Sequence, residues 1–414
     1  MRTRMASRMV LGFVAMTATS AFGASEKLLW APPILENPII IQLSADGTGD
    51  KTQLDPNRDY IIKLPADAVR TKGVWIEGGR NVIIMGGHIA LPYAENLDNN
   101  DSSRRAVYIK NNNGIVHVEG LLIDGTNSGE YDAIAVASPN SIVQLQNIHV
   151  TTLAGSYANF HGDLVQPWGG VEELRIDRFT GTTSYQGLQI DQDSGRIGSE
   201  KISNVNMKGT GQYKLWLTGK EIDGHNPLIQ LNNVYIEPAP KWDLNLGTSV
   251  YPAVGMPQGA IPMEGGTEVW WPELPWVQGV AKLGPPPGGD FVPVELVGTH
   301  YFSPWWGDVN LDGVIDAEDY RIMDMGYLLH ESGWTYGDFN YDGVIDAMDY
   351  ALIDAGLAYQ SGLAAAGMYI DLHTAMFGEA YTTALAGLIR VPEPASLALL
   401  ALGGAAMLRR RRYG

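Results

Sequence analysis

Two acidic segments thirty residues apart contain the side chains of this chain best suited to chemistry. Each places oxygen-bearing residues at positions 1, 3, 5, 9 and 12 of a short loop, with glycine at position 6. A hard cation with six to eight oxygen ligands needs this alternation, because every second side chain of a tight loop points at one centre. The predicted side-chain ligands of calcium are Asp308, Asn310, Asp312, Asp316 and Asp319 in the first loop, and Asp338, Asn340, Asp342, Asp346 and Asp349 in the second. Position 7, which is Val314 or Val344, offers its backbone carbonyl.

The spacing is that of an EF-hand loop, but position 12 is Asp in both copies rather than Glu. An apolar helical pattern follows each loop, and with it residues 307–357 resemble the type I dockerin family. The resemblance implies two bound Ca²⁺ ions and docking onto a cohesin-like partner protein. Cellulosomal dockerins often place Ser-Thr at positions 10 and 11, where this chain has Ala317-Glu318 and Ala347-Met348, so the identity of the partner stays open. A solvated Asp-rich turn is the weaker alternative, since the loop is duplicated in register.

The composition indicates an exported chain of two or three domains that does not bind nucleic acid. The 414 residues include no cysteine, which excludes disulfides and thiolate metal sites. The net charge is −18, and residues 307–354 alone contain twelve acidic residues and one basic residue. No basic stripe is present to meet phosphates.

Residues 1–23 combine arginines with an apolar run, which predicts a secretory signal peptide cleaved between Gly23 and Ala24.

The carboxyl-terminal residues 391–414 combine Pro392-Glu393-Pro394, a short apolar run and a cluster of arginines. In this order they resemble the PEP-CTERM sorting signal of Gram-negative bacteria. The resemblance implies a transient membrane anchor that an exosortase-type protease cuts near the Pro-Glu-Pro site, leaving a secreted or cell-surface protein. The alternative is a plain carboxyl-terminal anchor.

A repeated apolar pattern between residues 80 and 240 predicts stacked β-strands. Two short runs of period 2 flank one turn residue, as in the run from Val143 to Val150, and the turn falls at positions 86, 120, 147, 178, 204 and 233. A second apolar stripe precedes each copy, which gives three short strands per repeat. We therefore predict a mainly β fold, with a right-handed parallel β-helix over residues 24–240 that resembles the pectin-lyase-like superfamily. A β-sandwich is the structural alternative.

The remaining segments complete the predicted domain organisation. Residues 241–300 are rich in Pro, Gly and Trp, and predict a cap or linker that covers the last coil and spaces the next domain outward. Residues 301–360 form the small α-helical dockerin-like domain. Residues 361–390 are rich in Ala and predict a helix followed by a flexible stem.

Candidate residues for polysaccharide chemistry lie on the predicted first strand of each coil. If Leu164, Leu188 and Leu215 form one inward column, the polar residues beside them face a groove. The predicted catalytic residues are Asp163, Asp191 and Lys214, and the predicted substrate-binding residues are His161, Gln189 and Trp216. The carboxylates would act as acid, base or calcium ligand, and the lysine would abstract a proton. The outward positions of any half-exposed sheet are polar too, so the same pattern also fits a surface without catalysis.

The sequence thus predicts a secreted, surface-sorted modular protein whose β-helix binds extracellular polysaccharide. If the β-helix is also an enzyme, it is a polysaccharide lyase or glycoside hydrolase that acts on O-glycosyl bonds. The alternative is a non-catalytic structural or adhesion protein of the extracellular matrix.

Overall fold

The structure is a computed structural model that describes most of the chain between residues 28 and 389. The described ranges are 28–50, 53–93, 104–192, 195–218, 221–222, 224–237, 249–299, 301, 306–310 and 314–389. The predicted cleavage sites at Gly23, Ala24, Pro392, Glu393 and Pro394 lie outside them, as does the predicted ligand Asp312.

The described residues are mainly β, with twenty strands in one largely parallel arrangement and four helices at the carboxyl-terminal end. The strands are β1 (Ile39–Gln42), β2 (Gln53–Leu54), β3 (Tyr60–Lys63), β4 (Val74–Gly78), β5 (Val82–Met85), β6 (His88–Ile89), β7 (Arg105–Lys110), β8 (Ile115–Glu119), β9 (Leu122–Ile123), β10 (Asp132–Leu153), β11 (Asp163–Gln166), β12 (Val171–Thr183), β13 (Gln186–Ile190), β14 (Ile197–Lys208), β15 (Leu215–Leu217), β16 (Leu228–Ile236), β17 (Val250–Tyr251), β18 (Ile261–Pro262), β19 (Glu268–Trp270) and β20 (Val277–Leu283). The helices are α1 (Ala317–Leu329), α2 (Ala347–Ser361), α3 (Leu363–Phe377) and α4 (Glu379–Leu388).

Most strands pair in parallel with a strand one repeat later in the chain, which builds two long ladders. Ladder A runs in the order β1, β3, β5, β8, β10, β12, β14, β16 and β20. Ladder B runs in the order β2, β4, β7, β10, β11, β13, β15 and β17. The long strand β10 takes part in both ladders. Each repeat therefore buries its apolar residues against its neighbours, as the period-2 pattern predicted.

Aliphatic side chains at equivalent register positions form the core between the ladders. In ladder A, Val118, Leu145, Ile176 and Ile202 are aligned on successive strands and fully buried. This alignment explains why the repeated pattern in the sequence is so regular along ladder A, because each aliphatic residue packs directly on its counterpart one strand away.

The turn residue of every predicted repeat adopts a left-handed backbone conformation. The φ angles are 67° at Gly86, 74° at Gly120, 51° at Asn147, 53° at Arg178, 50° at Asn204 and 53° at Asn233. Glycine and asparagine tolerate this region best, which is why the pattern favours them at the corner. Asn233 Nδ2 also donates to Asn204 Oδ1 at 3.1 Å, so the corners bond to each other along the stack.

The segment after the last repeat covers the core but does not hold the helical domain away from the ladders. Val269, Trp271 and Leu274 of this segment are buried in the core cluster. Residues 290–299, which we call the strap, then run back along ladder A. Trp306 and Tyr341 of the helical domain share one apolar cluster with residues of β3 and β5. The prediction of an outward spacer is therefore wrong, because the strap is bonded to the sheet and the domain packs on ladder A.

Within residues 361–390, predicted as a helix followed by a flexible stem, the structure has the two helices α3 and α4. Ala366, Tyr381 and Leu385 are buried in the cluster that also contains α2. In the described part of the chain, no helix is both long enough and apolar enough to cross a membrane.

Candidate functional site

A row of seven residues follows ladder B at one register position, on the face opposite the core. The row consists of Trp75, Tyr108, Ala135, Gln166, Gln189, Trp216 and Tyr251. We call it the outer row. With strands about 4.8 Å apart, its six steps span about 29 Å.

Aromatic rings stand at both ends of the outer row, with amides between them. Trp216 and Tyr251 stack with ring centroids 4.1 Å apart and an angle of 13°. Gln166 Nε2 donates to Gln189 Oε1 at 2.6 Å. The predicted residues Gln189 and Trp216 are direct register neighbours on β13 and β15.

At the other end of the row, Trp75 and Tyr108 have ring centroids 5.5 Å apart. Trp168 packs against Tyr108 at 6.4 Å, which adds a third ring beside the row. Lys110 Nζ lies 5.6 Å from the centre of the Trp75 ring. Tyr108 is nearly buried, and the indole nitrogens of Trp75 and Trp168 are buried without a partner, so this end of the row offers partly exposed ring surface rather than hydrogen-bonding groups.

A buried pair of carboxyl groups lies near the start of two adjacent ladder B strands. Asp132 and Asp163 are 1% and 0% exposed, and the backbone N–H of Asp163 donates to Asp132 Oδ1 at 3.2 Å. Arg105 Nε lies 3.5 Å from Asp132 Oδ2. Neither carboxylate oxygen of Asp163 has a hydrogen-bond partner among the described residues. Burial raises the pKa of Asp132 to about 7, and burial together with the charge of Asp132 raises the pKa of Asp163 well above its ordinary value.

The predicted inward column is shifted by one residue at its first member. Val165, not Leu164, pairs with Leu188, which in turn pairs with Leu215 as expected. Both Leu164 and Val165 are buried, so an apolar pattern alone could not choose between them. A shift of one residue exchanges the two faces of a strand.

As a consequence, Asp163 and Lys214 do not occupy one register position. Asp163 pairs with Gln186, whereas Lys214 is next to Leu215 and therefore level with Gly187. Both side chains were expected at an open groove, but both are fully buried. The Lys214 ammonium donates to the carbonyl oxygen of Gly211, and burial lowers the pKa of Lys214 to about 7.

The other predicted groove residues lie apart from this pair. Asp191 is half-buried just beyond β13, which ends at Ile190, so the strand does not continue through it. His161 is exposed and lies between two tyrosine rings, stacked on Tyr157 at 5.5 Å and tilted against Tyr185 at 5.1 Å between centroids. These rings form a second aromatic group close to Asp163, whose charge adds to burial in raising the pKa of Tyr185 to about 12.

The two acidic loops repeat one local geometry. Asp319 Oδ1 accepts hydrogen bonds from the N–H groups of Val309 and Asn310, and Asp349 Oδ1 accepts the equivalent bonds from Phe339 and Asn340. Each position-12 carboxylate also accepts a bond from the residue at position 9, at 2.9 Å in the first loop and 3.0 Å in the second. Each helix then begins with the position-9 Asp as its N-cap.

The donor chemistry of these loops fits a hard divalent cation. Asp338 and Asp349 of the second loop are both nearly fully buried, at 2% and 0% exposure. Burial, with the charges of Asp338 and Asp342, raises the pKa of Asp349 to about 7. Calcium prefers such carboxylate and carbonyl oxygens and stabilises their charged forms. Among the described residues no group of three or more acidic or His side chains gathers in metal-binding geometry, and Asp312 lies outside them.

Two family models match this chain. The dockerin type I domain matches residues 306–358, and the PEP-CTERM protein-sorting motif matches residues 390–412. The chain carries a type I dockerin. Type I dockerins generally bind calcium and attach to a cohesin partner, and the sorting motif marks a secreted cell-surface protein of Gram-negative type, anchored by its carboxyl-terminal tail. No curated protein and no solved structure matches the chain.

Sequence reasoning missed most of the outer row and one member of the carboxyl pair. A signal for the row was present, because Trp75, Tyr108 and Trp216 each stand in the middle of an apolar triplet on their strand. In a strand buried on one face, the middle residue of such a triplet points away from the core. Asp132 carries a similar signal, since it precedes Ile134 by two residues just as Asp163 precedes Val165.

Proposed function

We propose that residues 24–240 form a right-handed parallel β-helix that binds extracellular polysaccharide along the outer row, whose last member, Tyr251, lies in the segment that follows. The dockerin holds two Ca²⁺ ions and attaches the protein to a cohesin-like partner, and an exosortase-type protease releases the tail. The observation that carries the binding proposal is the stacked pair Trp216–Tyr251 in line with the bonded pair Gln166–Gln189. Aromatic faces and amide edges at regular spacing suit an extended chain of sugar rings.

Binding is favoured over cleavage because the predicted catalytic residues do not share an open groove. Asp163 and Lys214 are buried at different register positions, and Asp191 lies beyond the strand. A general acid or base must reach the bond that it cleaves.

Cleavage stays as a second candidate function because of the pair Asp132–Asp163. Two neighbouring carboxyl groups with raised pKa values hold a proton near neutral pH, as a general acid requires. The exposed ring of His161 lies 5.1 Å from the ring of Tyr185, whose pKa the charge of Asp163 helps to raise, so this aromatic group stands beside the pair. Such an enzyme would be a glycoside hydrolase or polysaccharide lyase.

Affinity electrophoresis of the full chain in gels that contain neutral and acidic polysaccharides tests the binding proposal. The double variant Trp216→Ala, Tyr251→Ala should lose retardation in every gel that retards the unchanged protein. The control is Trp270→Ala, since Trp270 is 43% exposed but belongs to β19, outside the outer row. Retention of binding by the double variant would contradict the outer row as the binding surface, and release of reducing or unsaturated ends would favour the enzyme.

A further inference from the structure

The strap lies along one column of polar side chains on the far side of ladder A. His149, Thr180 and Asn206 occupy one register position on β10, β12 and β14. His149 Nδ1 bonds to the carbonyl oxygen of Val292 at 2.6 Å, and the N–H of Val292 donates to Thr180 Oγ1 at 3.1 Å. Asn206 Nδ2 donates to Asp290 at 2.9 Å. The strap is therefore fixed to three successive strands.

A groove of about 470 Å³ opens between the strap and the ends of these strands. Its floor includes Thr152, Thr182 and Lys208, which are aligned on adjacent strands. Asp290 and Glu295 of the strap form part of its wall. The volume lies within the range of small-ligand sites, and the groove shares no residue with the outer row or the calcium loops. We call it the strap groove.

His149 presents a hydrogen-bond acceptor to this groove. The carbonyl of Val292 can only accept, so Nδ1 of the imidazole donates and Nε2 carries the lone pair. Nε2 has no hydrogen-bond partner among the described residues, and His149, which is 7% exposed, lines the groove. Burial lowers the pKa of His149, which keeps the ring neutral at pH 7.

The charges around the groove oppose an anionic ligand. Lys208 Nζ contacts both carboxylate oxygens of Asp290, at 2.8 and 2.7 Å, so its charge is already matched. Glu295 adds an exposed carboxylate to the same wall. An anionic ligand would meet one ammonium and two carboxylates, which opposes its binding. A neutral ligand meets threonine hydroxyls, an imidazole acceptor and the polar ion pair.

We propose that the strap groove is a second carbohydrate site, which binds a neutral sugar residue whose hydroxyl group donates to His149 Nε2. Hydroxyl-rich rings match a floor of threonine hydroxyls because each group both donates and accepts. The site is separate from the outer row, so it extends the proposed function to a second surface and does not depend on it.

The test is a titration of the full chain labelled with ¹³C at histidine Cε1, with the His149 signal assigned by His149→Gln. The probes are neutral hexasaccharides of glucose, mannose, galactose and xylose at about 10 mM, and hexagalacturonate as the anionic probe. At that concentration a ligand with a Kd near 1 mM fills most sites. We expect at least one neutral probe, and not hexagalacturonate, to shift the His149 signal.

One isosteric double variant shows whether a loss of binding is due to the groove itself and not to misfolding. Thr152→Val with Thr182→Val removes two hydroxyls from the floor but none of the strap bonds, so the His149 signal should keep its position without ligand. The same double variant should weaken binding of the effective probe by about tenfold, which is ~1.4 kcal/mol. Trp216→Ala, on the outer row, should leave this titration unchanged. A His149 signal that no neutral probe shifts, that only hexagalacturonate shifts, or that shifts equally in the threonine variant would overturn the proposal.

Discussion

The Tyr320 phenol donates a hydrogen bond of 2.5 Å to Asp354, and the Tyr350 phenol donates the equivalent bond of 2.7 Å to Asp324. In each repeat the tyrosine directly follows position 12 of the calcium loop, and the aspartate lies four residues further along the helix. The two halves of the dockerin therefore exchange matching bonds between α1 and α2. The duplication seen in the loops extends into the contact between the helices.

The helices α3 and α4 break this symmetry, because they attach to only one of the two aspartates. Asp354 also accepts hydrogen bonds from His373 Nδ1, at 2.6 Å, and from the Tyr381 phenol. Asp354 is fully buried, whereas Asp324 is exposed. The carboxylate of Asp354 thus connects α1, α3 and α4 to α2, and its burial requires all three donors.

Replacing Asp354 should therefore destabilise the dockerin much more than replacing its counterpart. Asp354→Asn turns one acceptor into a donor that faces other donors, and should lower the free energy of unfolding by on the order of 2–4 kcal/mol. Asp324→Asn, at the exposed position, should cost about 0.5 kcal/mol or less. Urea denaturation of both variants with saturating calcium measures the difference. Similar losses in the two variants would show that Asp354 does not hold α3 and α4 in place.

The two calcium loops should fill independently. Native mass spectrometry should find two Ca²⁺ ions on the unchanged protein, and one ion each on Asp308→Ala and Asp338→Ala, since either change removes the position-1 ligand of one loop.

The second loop also touches the β-strands, because Lys63 Nζ donates to the Asn340 carbonyl at 3.5 Å. Chelation should therefore expose the contact between dockerin and ladder A to protease, and Asp338→Ala should do so more than Asp308→Ala. One shared ion, or equal protease sensitivity in both variants, would contradict this.

Processing at both ends is a third prediction. The mature protein from the native host should begin at Ala24 and end near Pro394, because the signal peptide and the sorting tail are both cut. Intact-mass measurement decides this. A mass that includes the arginines at positions 409–412 would favour a permanent anchor instead.

Features with a local cause could be predicted from the sequence. The corner at Asn147 or Asn204 needs a residue that tolerates a left-handed backbone, and the loop around Asp338 needs ligands at fixed spacing. Because each requirement fixes the residue types at neighbouring positions, the sequence pattern alone predicts the local structure. The parallel pairing also follows, because a repeat of three short strands can bury its apolar stripe only against its neighbours.

Features that depend on contacts between distant segments could not be predicted. Leu164 and Val165 are both apolar and both buried, so only the pairing of β11 with β13 fixes which one joins the column with Leu188. The strap has no periodic pattern, and its place follows from bonds such as that between His149 and Val292. The donors to Asp354 come from three helices, and no spacing in the sequence relates them.

Lys214 should make the free energy of unfolding of the β region rise with pH. A lysine that gains an acidic partner on folding has the opposite effect, because its pKa is raised and not lowered. The side chain of Lys214 is fully buried just before β15, its ammonium is bonded to the Gly211 carbonyl, and burial lowers its pKa to about 7. In the unfolded chain the pKa of lysine is about 10.4. Between about pH 7 and pH 10 the unfolded state therefore binds more protons than the folded state. The free energy of unfolding must then rise with pH across this window.

The variant Lys214→Met should remove this dependence, because the thioether fills a similar volume without a charge to bury. At pH 7 it should raise the free energy of unfolding by on the order of 2 kcal/mol, a gain that shrinks towards pH 10 because removing the proton on folding costs less as the pH approaches the pKa of the unfolded lysine. Lys201→Met is the matched control, since Lys201 is 42% exposed and contacts Glu173 at 2.6 Å at the surface. Urea denaturation of the three proteins at pH 7, 8, 9 and 10 with saturating calcium measures the slopes. If Lys214→Met and the unchanged protein gain stability equally with pH, the buried ammonium is not the cause.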